Sequence, residues 1–216
     1  MSERRESNFE KKLNYQTHGI GFLLSLIGTF FLVNKSLINP SDEKLFSSII
    51  YGFSLIFMFG SSTIYHYLID TKYSNVLQKL DHVSIYFLIA GSYTPPIVIY
   101  LNTVVGENIL LIIWFMAIIG TLHKVFFFNL YKKLSLIFYL IMGWLIVIEF
   151  QNILIYFSEY QVNLMVLGGL LYTFGAAFYS FNNLKYNHVI WHIFVLLASA
   201  SHFLLMMSIV YSPLTK

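Results

Sequence analysis

The chain reads as an all-α integral membrane protein, a seven-helix transmembrane bundle with a cytoplasmic N-terminus and a C-terminus outside. Three observations lead there. Hydrophobic residues make up 57% of the sequence and charged residues only 11%, against about 25% charge in soluble domains. Mean hydropathy is +0.70. Seven apolar stretches come close to or exceed the roughly 17–25 residues that cross a bilayer as a helix.

Taken in order, residues 1–16 are polar and carry Arg4, Arg5, Lys11 and Lys12. They read as a cytoplasmic tail, because they run straight into an apolar stretch of spanning length without the pattern of a cleaved signal. The expected spans are 17–33, 45–68, 82–100, 108–127, 134–150, 162–181 and 188–211. The first and fifth are the shortest, and polar residues flank both. Turn formers and charges separate the spans: Asn39-Pro40-Ser41-Asp42, Asp70-Thr71-Lys72, Gly106-Glu107, Tyr131-Lys132-Lys133 and Asn182-Asn183-Leu184-Lys185. Pro95 and Pro96 are expected to kink the third span and free backbone carbonyls there. Gly168-Gly169 and Gly175-Ala176-Ala177 in the sixth are small residues suited to close helix packing; no strand precedes them, so they are not a phosphate loop. Residues 17–211 form one transmembrane domain, and 212–216 a short extracytoplasmic tail. With the N-terminus inside, the cytoplasmic segments hold Arg4, Arg5, Lys11, Lys12, Lys72, Lys79, Lys124, Lys132, Lys133 and Lys185, and the other side holds Lys35, Lys44 and Lys216. That bias sets the orientation.

Composition also excludes functions. There is no cysteine, which removes disulfides, thiolate nucleophiles and Cys-bound metal, and leaves His, carboxylates and water to build any metal site. A net charge of +3, dispersed along the chain, does not suggest nucleic acid. No span shows a charged or Ser/Thr-rich stripe of the kind that lines a channel, so an intrinsic pore is the least supported activity.

Four ionisable side chains stand out against this apolar background. His66 is placed in the last turn of the second span, Asp81 just before the third, and His188 and His192 in the first turns of the seventh. All four share one membrane depth on the cytoplasmic side. His188 and His192 are spaced i, i+4, which projects both imidazoles from one helix face toward one ion. His66 can supply a third nitrogen, and three protein ligands plus water is the arrangement of a catalytic zinc site, where the metal lowers the pKa of its water to about 7. Asp81 is then a fourth ligand or, in the preferred reading, the group that hydrogen-bonds that water and takes its proton; a simple N-cap for the third helix is the plain alternative. Ser62, four residues before His66, can orient a ligand or the substrate carbonyl. The candidate site is therefore His66, His188 and His192 for metal, with Asp81 and Ser62 for catalysis. The bland reading of each lone histidine is a hydrogen-bonding interior residue.

The other histidines are read separately. His202 lies about 15 Å along the helix from His192, too far for the same ion, and suits a bond to a neighbouring helix. His18 lies at the right depth to approach the site or to serve at the interface. His82 points about 100° away from Asp81 around a helix, and His123 sits beside Lys124 at a span end where solvation explains it.

The runs Ser62-Thr63-Ile64-Tyr65-His66, Lys79-Leu80-Asp81-His82, Gly91-Ser92-Tyr93-Thr94-Pro95 and His188-Val189-Ile190-Trp191-His192, with the opening Asn14-Tyr15-Gln16-Thr17-His18-Gly19-Ile20-Gly21, resemble the hemolysin III proteins, the bacterial branch of the progestin and adiponectin receptor superfamily. The resemblance covers nearly the whole chain. It implies a bacterial plasma-membrane protein with zinc on His66, His188 and His192, and Asp81 near the metal-bound water. Receptors with ceramidase activity and the alkaline ceramidases are among that family's relatives, and the bacterial branch, named for haemolysis, is linked to membrane lipid homeostasis. The leading expectation is a zinc hydrolase of a lipid amide or ester bond, with membrane lipid as partner. A non-enzymatic zinc-stabilised sensor of membrane state and a cytolytic factor are the alternatives.

Overall fold

The computed structural model describes residues 6–38, 40–128, 132–181 and 183–212, with residues 132–134 described by backbone alone. Of the expected tails, residues 1–5 and 213–216 lie outside the described residues, as do Asn39, Tyr131 and Asn182 of the expected turns. The same holds for the charges of Arg4, Arg5, Lys132, Lys133 and Lys216. The described chain is all-α: α1 Asn8–Ile38, α2 Asp42–Tyr67, α3 Ser74–Ile99, α4 Val104–Phe126, α5 Lys132–Trp144, a 3-10 turn Leu145–Glu149, α6 Phe150–Tyr156, α7 Glu159–Ser180 and α8 Asn187–Tyr211. Among the described residues, seven segments are long and apolar enough to cross a membrane, the fifth running from α5 through α6 as Ser135–Tyr156. The protein is a multi-pass integral membrane protein.

Two helices begin well before the apolar stretches. α1 starts at Asn8, nucleated by a capping box in which Ser7 Oγ accepts the Glu10 N–H at 3.2 Å and Glu10 Oε2 accepts the Ser7 N–H at 2.8 Å. α3 starts at Ser74. Asp81 was expected just before the third helix and as its possible cap; it lies two turns inside α3 instead, and Tyr73 holds the N-cap position. Hydropathy finds the part of a helix that meets lipid, whereas backbone hydrogen bonding continues for as long as caps and packing support it.

The second and third spans form the centre: 61% of each apolar window is buried in the bundle, against 44% for α8 and 22–28% for the others. α1 packs on α2 and α8, α2 on α3, α3 on α4, and α7 on α8. The outward face of α1 carries Ile20, Leu23, Leu24, Ile27, Phe30 and Phe31, all exposed, as a lipid-facing helix requires. Its buried face is small or polar instead: Glu10, Asn14, His18, Gly21, Ser25, Gly28, Leu32 and Ser36.

The buried face of α2 is rich in serine. Ser47, Ser48 and Ser54 lie on it toward one end with Lys44 and Tyr51, and Ser61 and Ser62 toward the other with His66, with Leu55, Met58 and Phe59 buried between them. The serines interleave with apolar residues and gather on this face only at helical spacing. They serve close packing, because lipid tails are as apolar as leucine and helices gather through small residues and internal hydrogen bonds. A Cβ on Gly52 would collide with the Thr29 side chain, which shows how near α1 approaches α2. Similarly, a Cβ on Gly168 would strike the His202 ring, so the small residues of α7 serve packing as expected. His202 Nε2 lies 3.4 Å from the Met165 carbonyl of α7, which makes His202 an interhelical bond. At the other end of the bundle, Lys44 Nζ donates to the Ser212 carbonyl at 2.6 Å and joins the start of α2 to the end of α8.

Pro95 and Pro96 fall in the last turns of α3, where little helix remains to be disturbed. The sharper irregularity is in the fifth span. There the 3-10 turn after Trp144 interrupts the α-helical ladder, and Tyr93 of α3 repairs it: its hydroxyl lies 2.6 Å from the Met142 carbonyl and 2.9 Å from that of Gly143, and accepts the Ile146 N–H at 3.0 Å. Unpaired backbone at membrane depth is expensive. Tyr93→Phe is therefore expected to destabilise the purified protein by about 1–3 kcal/mol, the usual cost of stranding buried polar groups, read as an earlier unfolding transition in detergent. A wild-type transition would exclude this role for the hydroxyl.

Candidate metal centre

α8 begins after an unusual residue. Tyr186, its N-cap, has φ of 62°, a left-handed conformation that costs a non-glycine residue roughly 1 kcal/mol or more. Glu10 of α1 holds it there: Glu10 Oε1 accepts the Tyr186 N–H at 2.9 Å. One carboxylate thus caps its own helix and anchors the start of α8, and it is 1% exposed.

From that anchored start, His188 and His192 leave α8 one turn apart with ring centroids 4.7 Å from each other. His66, in the last turn of α2, comes within 4.8 Å of both rings, edge-on to each. One nitrogen from each of the three lies within 4.8 Å of the other two. The helix ends predicted to converge do so, and the three histidines form a cluster able to chelate a metal ion.

Hydrogen bonding determines which lone pairs are offered. His192 Nδ1 lies 3.1 Å from the Asn14 carbonyl oxygen and 3.3 Å from Thr17 Oγ1. Thr17 donates its own proton to the carbonyls of Leu13 and Asn14, so both neighbours are acceptors and His192 Nδ1 carries the hydrogen. Nε2 then keeps its lone pair for a metal, which is how a protein presets an imidazole ligand. His188 Nδ1 lies 3.4 Å from Glu6 Oε1. His66 is 2% exposed, and neither of its nitrogens has a partner. A buried imidazole without partners is costly in a protein interior, and coordination removes that cost. The donor set therefore fits a divalent metal that accepts nitrogen ligands.

The remaining site candidates fall close by. Asp81 faces Ser62 and His188 but lies outside the 4.8 Å group. Ser62 is 1% exposed, and its hydroxyl, although near the Asp81 carboxyl, closes no hydrogen bond of good geometry. His18 is nearer than expected, stacked on His192 with centroids 3.6 Å apart; it is buried, and both of its nitrogens lack partners. His82 packs edge-on against Phe128, and His123 lies near Phe127 at the end of α4.

Sequence reasoning missed the part played by Glu6, Glu10 and Asn14, in the stretch read as a tail, and by Thr17, at the start of the first expected span. The signal was present. Glu6, Glu10, Asn14 and His18 recur every fourth residue, the spacing of one helix face, and Ser7-x-x-Glu10 is a capping-box sequence.

Comparison with known proteins agrees with this architecture. Residues 7–203 match the family model described as "Haemolysin-III related". The chain is 38% identical over 194 residues to the "Hemolysin-3 homolog" of Bacillus subtilis (strain 168), covering 90% of this chain and 91% of that protein. It is 37% identical to the "Hemolysin-3" of Bacillus cereus, covering 90% and 89%, and 29% identical over 205 residues to the human "Monocyte to macrophage differentiation factor", covering 90% and 82%. Matched by the family model over residues 7–203 and similar to both Bacillus proteins over 90% of its length, the chain belongs to the haemolysin-III-related family.

Proposed function

We propose that this protein is a zinc-dependent membrane hydrolase that cleaves an amide or ester bond of a lipid and serves membrane lipid homeostasis. The observation that carries the reading is the three-imidazole cluster with a carboxylate beside it but outside the ligand group. That arrangement suits three ligands and an open position, as in catalytic zinc sites, whereas structural sites are closed by four protein ligands. When bound, the ion supplies a Lewis acid for a carbonyl and makes a water molecule more acidic.

The protein's own groups do the rest. His66, His188 and His192 hold the ion. Asp81 takes the proton from the attacking water and passes it to the leaving amine or alkoxide, the ordinary work of a general base and acid. The free Ser62 hydroxyl donates to the substrate carbonyl or orients the water. The acyl chain lies in the bundle interior. The cluster sits at the inner leaflet with the N-terminus cytoplasmic, since ten of the thirteen basic residues fall on that side.

One observation favours a second reading, a non-enzymatic metal-tied regulator. His18 is buried against His192 with both nitrogens unpartnered, and its entry into the ligand set would complete four nitrogens and close the site. X-ray absorption at the zinc edge separates the two by the number of coordinated imidazoles, read from the outer-shell scattering of their rings: three for the hydrolase and four for the regulator.

Metal analysis of purified wild type is expected to find about one zinc per chain, and His188→Ala/His192→Ala close to none; a metal-free wild type, or a double variant that keeps its zinc, would refute the site. Lipid amide or ester hydrolysis is expected to stop on chelation and return with zinc. Asp81→Asn should keep its metal yet lose about 10²–10⁴-fold in kcat, the usual worth of a general base. An undiminished rate in that variant would remove Asp81 from the mechanism.

A further inference from the structure

We infer that Glu6 is a positioning residue of the metal centre, fixing the His188 ring so that its Nε2 lone pair faces the ion, and that Glu10, Asn14 and Thr17 on the same N-terminal stretch support the site with it. The inference rests on the metal reading above and adds residues to it.

Two of the three ligand imidazoles meet their outer partners in this one stretch of chain. His192 Nδ1 faces the Asn14 carbonyl and Thr17 Oγ1, and His188 Nδ1 faces Glu6 Oε1. His188 Nδ1 approaches the Glu6 carboxylate at 3.4 Å without closing a hydrogen bond of good geometry; an acidic partner on that side of an imidazole favours the proton on Nδ1 and raises the basicity of the other nitrogen. Glu6 is itself held: Asn14 Nδ2 donates to its second oxygen at 3.1 Å. Glu6 and His188 are each about one-fifth exposed at the side chain, so the contact is partly shielded from water. Glu10, four residues on, pins the backbone of Tyr186 two residues before His188. The clamp therefore acts on both the start of α8 and the ring it presents. Lys11 and Asp70 form an ion pair at 2.6 Å on the same stretch, but Asp70 is largely exposed and neither side chain touches a histidine, which makes this pair a control.

The test uses the full chain in detergent, with zinc and cobalt(II) as probes and a competing chelator to report affinity. Glu6→Ala is expected to weaken metal binding about tenfold or more, the usual effect of deleting an outer partner, and to shift the cobalt(II) absorption bands. Glu6→Gln keeps an acceptor oxygen and should recover part of the loss; Lys11→Ala should bind as wild type. In metal-free protein labelled with ¹⁵N-histidine, His188 should carry its proton on Nδ1 in wild type and become a tautomer mixture in Glu6→Ala. Affinity within twofold of wild type with unchanged bands, or an unchanged His188 tautomer, overturns the inference. If wild type takes up no metal, the metal reading falls, and the tautomer measurement still decides on the clamp.

Discussion

A nitrogen carried toward the membrane interior must find its partner within the protein, because no bulk solvent is there to supply one. In this bundle that requirement is met across the α1–α8 contact. His192 Nδ1 has the Asn14 carbonyl and Thr17, His188 has Glu6, and the Tyr186 N–H has Glu10. These contacts hold the first turns of two helices far apart in sequence in a single register. His66 then enters from α2 with no hydrogen-bond partner among the described residues, so its ring is left uncommitted beside His188 and His192.

The rest of the bundle is organised to allow that approach. Where the solvent is hydrocarbon, burying apolar area does little to gather helices, and close contact plus internal hydrogen bonds must serve. The faces turned inward are accordingly small or polar: glycine, serine, asparagine and histidine along α1, and serine along α2. Leucine, isoleucine and phenylalanine of α1 are left to the lipid. The same economy explains Tyr93, whose hydroxyl serves three backbone groups at the break in the fifth span. It also explains Lys44, which reads as a loop charge yet is buried and bonded to the carbonyl that follows α8.

Much of this was legible from residue order. The number of spans follows from run lengths of apolar residues, which the bilayer thickness makes decisive. The histidine cluster follows from the i, i+4 pair in the seventh span and the depth of His66. Helix extents were less legible, because hydropathy marks lipid contact while capping and packing carry α1 back to Asn8 and α3 back to Ser74. Asp81 moved from a presumed cap to a helix interior for that reason. The serines on the buried face of α2 were obscured because they are spread among apolar residues and gather on one face only when the turn of the helix is applied.

Short-range chemistry thus settled the class and the span count and singled out the three histidines, since these depend on residue type, on the length of apolar runs and, for His188 and His192, on spacing within one helix. Packing between distant segments settled the remainder: that a polar N-terminal stretch folds back against α8, that His18 stacks on His192, and that Glu6 and Asn14 orient the imidazoles. Such pairings join residues some 180 positions apart, and no local pattern specifies which acceptor a buried nitrogen will meet. That choice is made when the helices close together and buried polar groups compete for the partners within reach.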